Sequence, residues 1–555
     1  MHAGEAVAEA LREEDVERVY SVPGSHIHPI YDGLSRVKSI RMVTCKQEPN
    51  VSLMADAYGR LTGKPGVCLV TAGPGCINSM AGVAQAYGAA SPMVHISGAV
   101  PLKAEMEAFH GVDDPAFVQE MFKKVTKWSA RVERIEDIPG VMAKAFHIAR
   151  SGRPGPVHVE LPRVSDYSEF ILQEAPVALP PYQRLSIRVA EPDPRDVERF
   201  AKRLMESRAP VIAAGKGIIR QRAMQELSDL SLRLQAPVVF AQDAIGVIPE
   251  SHPFFSGHFQ HYRSHPLCVE ALKHTDLVLG VGLRAGTAEL AELKHRAPEK
   301  NLILIGFDDA PDSRYHGEDQ RVADPKLFLS ALLERLGNYQ RPRDEALIRT
   351  MAEGKAAIRA SLTAQGELHR GNQPIYPGVL MDAMNALLDD QAVVASDVGN
   401  CQMWARTFRR IATPESFMQS GVWNAMSYGL PTAIVAKMEF PGRDVVALAG
   451  DGAFLMTSGD LPTAVEYGAN VLMIVLNDAA FGQTYMQQSN LYGHTYGTSF
   501  RSPDFAQIAR ACGAEGIRVS DPKNVEDALR RGLAATKIKP ALVEVMVSRP
   551  PYPKI

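Results

Sequence analysis

The sequence predicts an α/β protein made of three consecutive doubly wound parallel-sheet domains, and three observations carry that expectation. Short apolar, β-branched runs alternate with helix-length segments along most of the 555 residues, the pattern of parallel strands joined by crossover helices. Several runs stop at glycine, as in Val211–Gly215, Leu277–Gly282 and Leu302–Gly306, which allows a close turn after each strand. The chain is too long for one core, and a proline-rich stretch and a charged helical stretch divide the alternation into three.

The elements follow in order. Residues 1–165 read as helix 4–16, strand 18–21, helix 28–36, strand 40–44, helix 48–62, strand 66–70, helix 76–88 and strand 92–97. This first domain closes with a strand bracketed by prolines, Pro154–Pro162. Residues 166–189 are a linker, marked by Ala175–Tyr182 (Ala-Pro-Val-Ala-Leu-Pro-Pro-Tyr). A central domain spans 190–340, with Val238–Phe240 as a further strand. A charged connector spans 341–369, helical from Asp344 to Leu368, and a third domain spans 370–548. The segment from Arg549 to Ile555 shows no packed pattern.

Bulk composition narrows the function classes. Lys and Arg number 60 against 63 Asp and Glu, a balance that calls for neither nucleic acid nor an anionic membrane. The 6 cysteines are scattered without zinc-like pairing, as in a reducing compartment. Met1–Tyr20 is a charged amphipathic helix without the apolar core of a signal peptide, and no later stretch is long enough to span a bilayer. The expectation is a soluble cytoplasmic protein.

The chemistry concentrates in the third domain. The run Val445–Ala449 ends at Gly450-Asp451-Gly452, a helical segment covers Asp460–Tyr467, and a second run, Val471–Leu476, ends at Asn477. This β-α-β unit brings a carboxylate and an amide to neighbouring strand ends, where open parallel sheets bind ligands. Both offer the hard oxygens that Mg²⁺ takes, with phosphates and water completing its octahedron. Gly450 and Gly452 leave room for a diphosphate against the backbone. A lone Gly-Asp-Gly is also an ordinary turn after a strand; the helix and the strand-end Asn behind it are what point to a magnesium–diphosphate anchor.

Gly450-Asp451-Gly452 with Asn477, together with Asp397–Trp404 and Ser420–Pro431, resembles the thiamine diphosphate enzymes of the acetolactate synthase, benzaldehyde lyase and pyruvate oxidase group, over nearly the whole chain. The resemblance implies thiamine diphosphate and Mg²⁺ as cofactors. It also implies pyrimidine-binding, central and diphosphate-binding domains in that order, and a homodimer or homotetramer with active sites between subunits. It implies Asp451, Asn477 and the Ala479 carbonyl as metal ligands. Cofactor contacts are implied at Gly73, Asn400, Cys401, Asn424, Met426, Gly450, Gly452, Ala453, Phe481 and Gly482, with Met426 as the wedge that bends the coenzyme. Cys401 departs from the family, whose members often carry His there.

Glu48 opens the helix that starts at Pro49 and is the candidate catalytic acid. A carboxyl group kept protonated at a ring nitrogen of the coenzyme would promote loss of the thiazolium C2 proton. A plain helix-start carboxylate is the structural alternative, and Gln47 stands where the family often has His. On the substrate side, Gly24-Ser25-His26 resembles the loop of benzaldehyde lyase whose His shuttles protons. His28, Phe109, His110, Gln483 and Gln487 are the other substrate candidates, and a surface-loop histidine is the plain alternative for His26. The family's mark of FAD, a Phe-Asp-Asp-Arg in the central domain, is replaced by Gly282-Leu-Arg-Ala-Gly286, so FAD is not expected. The expected function is carbon–carbon lyase or carboligase chemistry on 2-oxo acids or 2-hydroxy ketones, acetolactate-synthase-like overall. A benzaldehyde-lyase or 2-hydroxyacyl-coenzyme A lyase activity is the alternative. A cofactor-binding regulatory protein without catalysis is the rival from another class, and the joint retention of Glu48, Asp451 and Asn477 speaks against it.

Overall fold

The computed structural model describes residues 2–101, 109–162, 178–259, 264–284, 288–297, 301–306 and 319–552. Their strands form three six-stranded sheets, parallel throughout. The first holds β1 (Arg18–Ser21), β2 (Arg41–Thr44), β3 (Gly66–Val70), β4 (Met93–Ala99), β5 (Trp128–Arg131) and β6 (Pro156–Pro162). The second holds β7 (Pro210–Ala214), β8 (Val238–Ala241), β9 (Phe255–Phe259), β10 (Leu277–Val281), β11 (Leu302–Gly306) and β12 (Gln320–Val322). The third holds β13 (Val393–Ser396), β14 (Phe417–Gln419), β15 (Val445–Gly450), β16 (Leu472–Asn477), β17 (Glu515–Val519) and β18 (Ala541–Met546).

The strand order is β2-β1-β3-β4-β6-β5 in the first sheet and β14-β13-β15-β16-β18-β17 in the third, the same topology twice. In each, the chain runs outward from one central strand, returns past it and continues on the other side. The two crossovers diverge there and leave a crevice at the carboxyl ends of β1/β3 and of β13/β15.

Two apolar cores join the sheets. One runs unbroken from the first unit into the third, through Val51, Met54 and Tyr58 of the helix Glu48–Thr62 and Leu430, Ile434 and Val435 of the helix Gly429–Glu439. The other joins the central unit to the opposite face of the third sheet. Polar pins fix the first of these contacts. The Asp460 carboxylate accepts from the Lys46 amide at 2.8 Å, from Asn50 Nδ2 at 2.5 Å and from Thr463 Oγ1 at 2.7 Å. The helix Glu48–Thr62 starts with Pro in its first turn and ends at Gly63, whose φ of 75° closes it in the left-handed conformation.

Several expectations change. Strands β5, β9, β12, β13, β14, β17 and β18 were not anticipated. The helical part of the Gly-Asp-Gly unit begins at Asp451 itself (Asp451–Thr457) and, after a turn at Ser458–Asp460, resumes at Leu461–Glu466. The connector is helical as expected, Glu345–Leu368, capped by the Asp344 side chain. Of the linker, residues 166–177 lie outside the described ones; Leu179 and Tyr182 pack on the first unit, and Tyr182 Oη donates to Glu14. The segment from Arg549, expected to be without packing, is held through residue 552 and by Ser548 just before it. The Ser548 amide donates to Ile375 O at 2.9 Å, and the Tyr552 ring lies 6.2 Å from Trp404. Among the described residues no helix is long and apolar enough to cross a membrane.

Candidate active site

The β13/β15 crevice opens into a cavity lined by Asn400, Met426, Asp451, Asp478, Phe481 and Arg549, among others. Asp451 is 1% exposed. Its Oδ1 accepts from the Gly452 amide at 2.8 Å, while its Oδ2 is buried without a hydrogen-bond partner among the described residues. Burial pushes this carboxyl up to about 7, and the like charge of Asp478 adds to the push. Burial likewise raises Asp478 to about 6 against the pull of Arg549. A buried carboxylate oxygen with nothing to accept from is costly, and here it stands beside a second carboxylate. Two carboxylates so placed can hold a cation.

Asn477 is turned away from that site. It is buried, its Nδ2 donates to Glu544 Oε1 at 2.7 Å, and its Oδ1 accepts from the Ala479 amide at 3.1 Å. Asp478 and Ala480, not Asn477 and Ala479, face the cavity. Two carboxylates suit Mg²⁺, which takes one or two and fills its sphere with phosphate oxygens and water; among the described residues no cluster of three His, Cys, Asp or Glu offers an all-protein metal cage. Gly450 has open space where a Cβ would stand, as a close-lying phosphate needs. Gly452 does not: a Cβ there would lie 2.7 Å from Cε1 of Phe481. Gly452 therefore serves the packing of Phe481.

The remaining residues expected around the coenzyme divide. Gly482, Ala453 and Gln483 line the cavity; Gln487, one turn along the helix Gly482–Tyr492, is exposed outside the lining. Asn400 opens the helix Asn400–Phe408 and accepts from Tyr552 Oη. Cys401 borders the cavity, but its thiol is buried, donates to Asp397 O at 3.3 Å and is pushed up to about 12. It is an inert thiol, not one offered to a ligand. Asn424 is exposed, with a φ of 58°.

Asp397, which sequence reasoning quoted without a role, organises the turn that carries Met426. The carboxylate accepts from the amides of Val398 (2.8 Å), Ser427 (3.0 Å) and Gly429 (3.0 Å). The position of Asp397 just past a strand end was the available signal. Arg549 and Tyr552 carried none, since their partners Asp478 and Asn400 are distant in sequence.

A second cluster occupies the corresponding crevice of the first sheet. His26, 1% exposed, sits in the turn after β1 with Nδ1 3.3 Å from Thr71 Oγ1 in the turn after β3. Its ring stacks on His110 (4.8 Å) and lies 5.9 Å from Phe109, and Phe109 stacks on His110 at 4.0 Å. Gly73, at φ 56°, lets the chain come close: a Cβ would lie 2.1 Å from the His110 carbonyl oxygen. His28 points to solvent. Glu48 is half-buried, and its Oε2 accepts from Asn78 Nδ2 at 3.3 Å. Neither Glu48 nor the His26 cluster lines the cavity of the third unit within the one chain.

Comparison with known proteins gives this geometry its family. Residues 1–124 match the family described as thiamine pyrophosphate enzyme, N-terminal TPP binding domain; 197–332 match its central domain and 397–545 its C-terminal TPP binding domain. The chain is 30% identical over 551 residues to a probable acetolactate synthase large subunit of Methanococcus aeolicus, covering 96% of this chain and 90% of that relative. It is 31% identical over 546 residues to the acetolactate synthase isozyme 3 large subunit of Escherichia coli K12, covering 96% and 92%. The chain belongs to the thiamine pyrophosphate enzyme family, as a thiamine diphosphate-dependent enzyme of the acetolactate synthase group.

Proposed function

We propose that the protein makes or breaks a carbon–carbon bond beside a carbonyl in 2-oxo acids or 2-hydroxy ketones, as an acetolactate-synthase-like carboligase. The observation that carries this is Asp451 Oδ2, buried without a hydrogen-bond partner among the described residues and beside Asp478 at the third sheet's crevice, in a chain whose relatives are acetolactate synthase large subunits. The three units take the pyrimidine-binding, central and diphosphate-binding roles, in a cytoplasmic protein.

When bound, thiamine diphosphate supplies the electron sink that such a bond change needs. The chain's own groups do the rest. Asp451, Asp478 and the Ala480 carbonyl would hold Mg²⁺, in place of the expected Asn477 and Ala479. Asn400, Gly450 and Gly482 would border the diphosphate, and Met426, fixed through Asp397, would press on the coenzyme and help set the approach of its reacting atoms. Glu48 holds a proton at the coenzyme's ring nitrogen. His26, with His110 stacked on it, moves a proton at the substrate oxygen.

Glu48 and the Asp451 cavity meet across two copies of the chain. Exposed apolar side chains at Phe109, Val422, Trp423, Phe481 and Tyr496 support such a contact, since Trp423 is 53% and Tyr496 88% exposed. The histidine stack favours a second reading, a benzaldehyde-lyase or 2-hydroxyacyl-coenzyme A lyase activity, because two imidazoles can serve an aldehyde leaving group. FAD is not expected; residues 285–286 of the segment behind that expectation lie outside the described ones, and a flavin absorption band in the purified protein would overturn it.

The deciding experiment incubates the protein with thiamine diphosphate, Mg²⁺ and, separately, pyruvate, benzoin and a 2-hydroxyacyl thioester. Acetolactate from pyruvate is the expected product. Aldehyde release from either of the other two supports the second reading, and no carbon–carbon change with any of them sinks both.

A further inference from the structure

Arg549 lies where it can act on the cation site itself. Its Nε is 3.1 Å from Asp478 Oδ2, and its Nη2 donates to the Asp478 carbonyl at 2.5 Å. The guanidinium sits 4.4 Å from the centre of the Tyr485 ring, so it is held by charge, by a backbone acceptor and by an aromatic face at once. The segment that carries it is pinned on both sides. Ser548 is bonded to Ile375, and Tyr552 Oη donates to Asn400 Oδ1. The two pins converge, since Asp478 Oδ2 and Asn400 Nδ2 each lie 2.6 Å from where a Cβ on Gly482 would stand. Asp478 and Arg549 both border the cavity that also holds Asp451.

The charges explain why such a contact exists. Asp451 and Asp478 repel each other in a buried setting, and Arg549 is the cation that pairs with Asp478. Arg549 engages Oδ2 of Asp478, so a divalent ion held by both carboxylates would share the Asp478 carboxylate with the guanidinium. It would also bring a second positive charge next to a fixed guanidinium. Two cations that want one carboxylate oppose each other, and the opposition is reciprocal: whatever weakens the one strengthens the other.

We propose that Arg549 and the divalent cation compete for the Asp478 carboxylate, so that the segment Ser548–Tyr552 sets the site's affinity for metal. The proposal rests on reading Asp478 as a cation ligand. It adds that the ligand is shared with an arginine of the same chain, which makes cation loading and the docking of that segment opposing events.

The test measures Mn²⁺ binding by electron paramagnetic resonance on metal-stripped protein without thiamine diphosphate, so that it does not depend on turnover. In Arg549→Gln the Mn²⁺ affinity rises by about fivefold or more, the effect of removing one opposing charge at contact range. In Asp478→Ala it falls. Arg549 is partly exposed at the cavity mouth, so its replacement by Gln is compatible with folding, and an unchanged melting profile checks this. If Asp478→Ala leaves Mn²⁺ affinity unchanged, the reading of Asp478 as ligand fails and the competition with it. If Asp478→Ala weakens binding but Arg549→Gln leaves it unchanged or weaker, the ligand stands and the competition is wrong.

Discussion

Asp397 and Glu48 are both carboxylates at the mouths of strands, yet their surroundings set them to different work. Asp397 is fully buried and satisfies three backbone amides, which shape the turn from Asn424 to Gly429. Replacing it with Ala strands those donors, each worth about 1–3 kcal/mol when left unmet in the interior. Asp397→Ala should therefore lose several kcal/mol in urea unfolding and bind thiamine diphosphate less tightly. Loss of stability with unchanged coenzyme affinity would show that the turn does not reach the coenzyme. Glu48, half-buried with one contact to Asn78, holds no fold together. Glu48→Gln should keep its melting temperature and its coenzyme affinity while turnover falls by about 10²-fold or more, the range of a lost general acid. Turnover within a few-fold of the parent would remove Glu48 from the chemistry.

At the scale of elements, the polar row across the first sheet shows how register governs charge. Ser97, Glu160 and Arg131 are aligned partners on β4, β6 and β5. Glu160 is 1% exposed, with Oε2 lacking a partner among the described residues. Burial pushes its carboxyl up to about 8, with Arg131 opposing. The folded protein thus keeps this proton up to about pH 8, whereas the unfolded chain releases it near the ordinary value of 4.5. Below that value both states are protonated and nothing is lost; as pH climbs toward 8 the folded state becomes progressively less favoured, by a few kcal/mol in order of magnitude. Glu160→Gln removes the titration, so its melting temperature should gain on the parent steadily from pH 5 to pH 8. A gap that stays constant across that window would mean Glu160 is ionised in the fold.

Register also decides what the sequence could reveal. The long central strands and the Gly-Asp-Gly turn are visible because an apolar run ending in glycine has few alternatives. Whether Asn477 or Asp478 faces the crevice is not visible, because successive strand residues point to opposite sides and a slip of one exchanges them. What settles it is Glu544, which lies on neighbouring β18 and accepts from Asn477, a contact far away in sequence. Edge strands such as β12 and β14, three residues each, are too short to show any period. The Arg549–Tyr552 segment, rich in proline, has no period to read.

At the scale of the molecule, the repeated topology places two crevices in one chain, one holding the His26 cluster with Glu48 on the same unit, the other holding Asp451 and Asp478. The inner faces of these two units are already joined through a continuous core. Among the described residues the cavity of the third unit is bordered by residues from 377 onward, so the proposed site takes its first-unit groups from another copy. This has a consequence that a site within one chain would not have. Glu48→Gln and Asp451→Asn are each expected to be inactive alone. When the two chains are co-expressed and assemble at random, half of the dimers contain one of each. In a mixed dimer one site receives both substituted residues and the other receives neither, so about a quarter of the parent activity returns. Gel filtration should show the mixed species at the size of the parent assembly. If every mixture stays as inactive as its components while the chains demonstrably co-assemble, Glu48 and Asp451 act within one chain, and the placement of the site between copies is wrong.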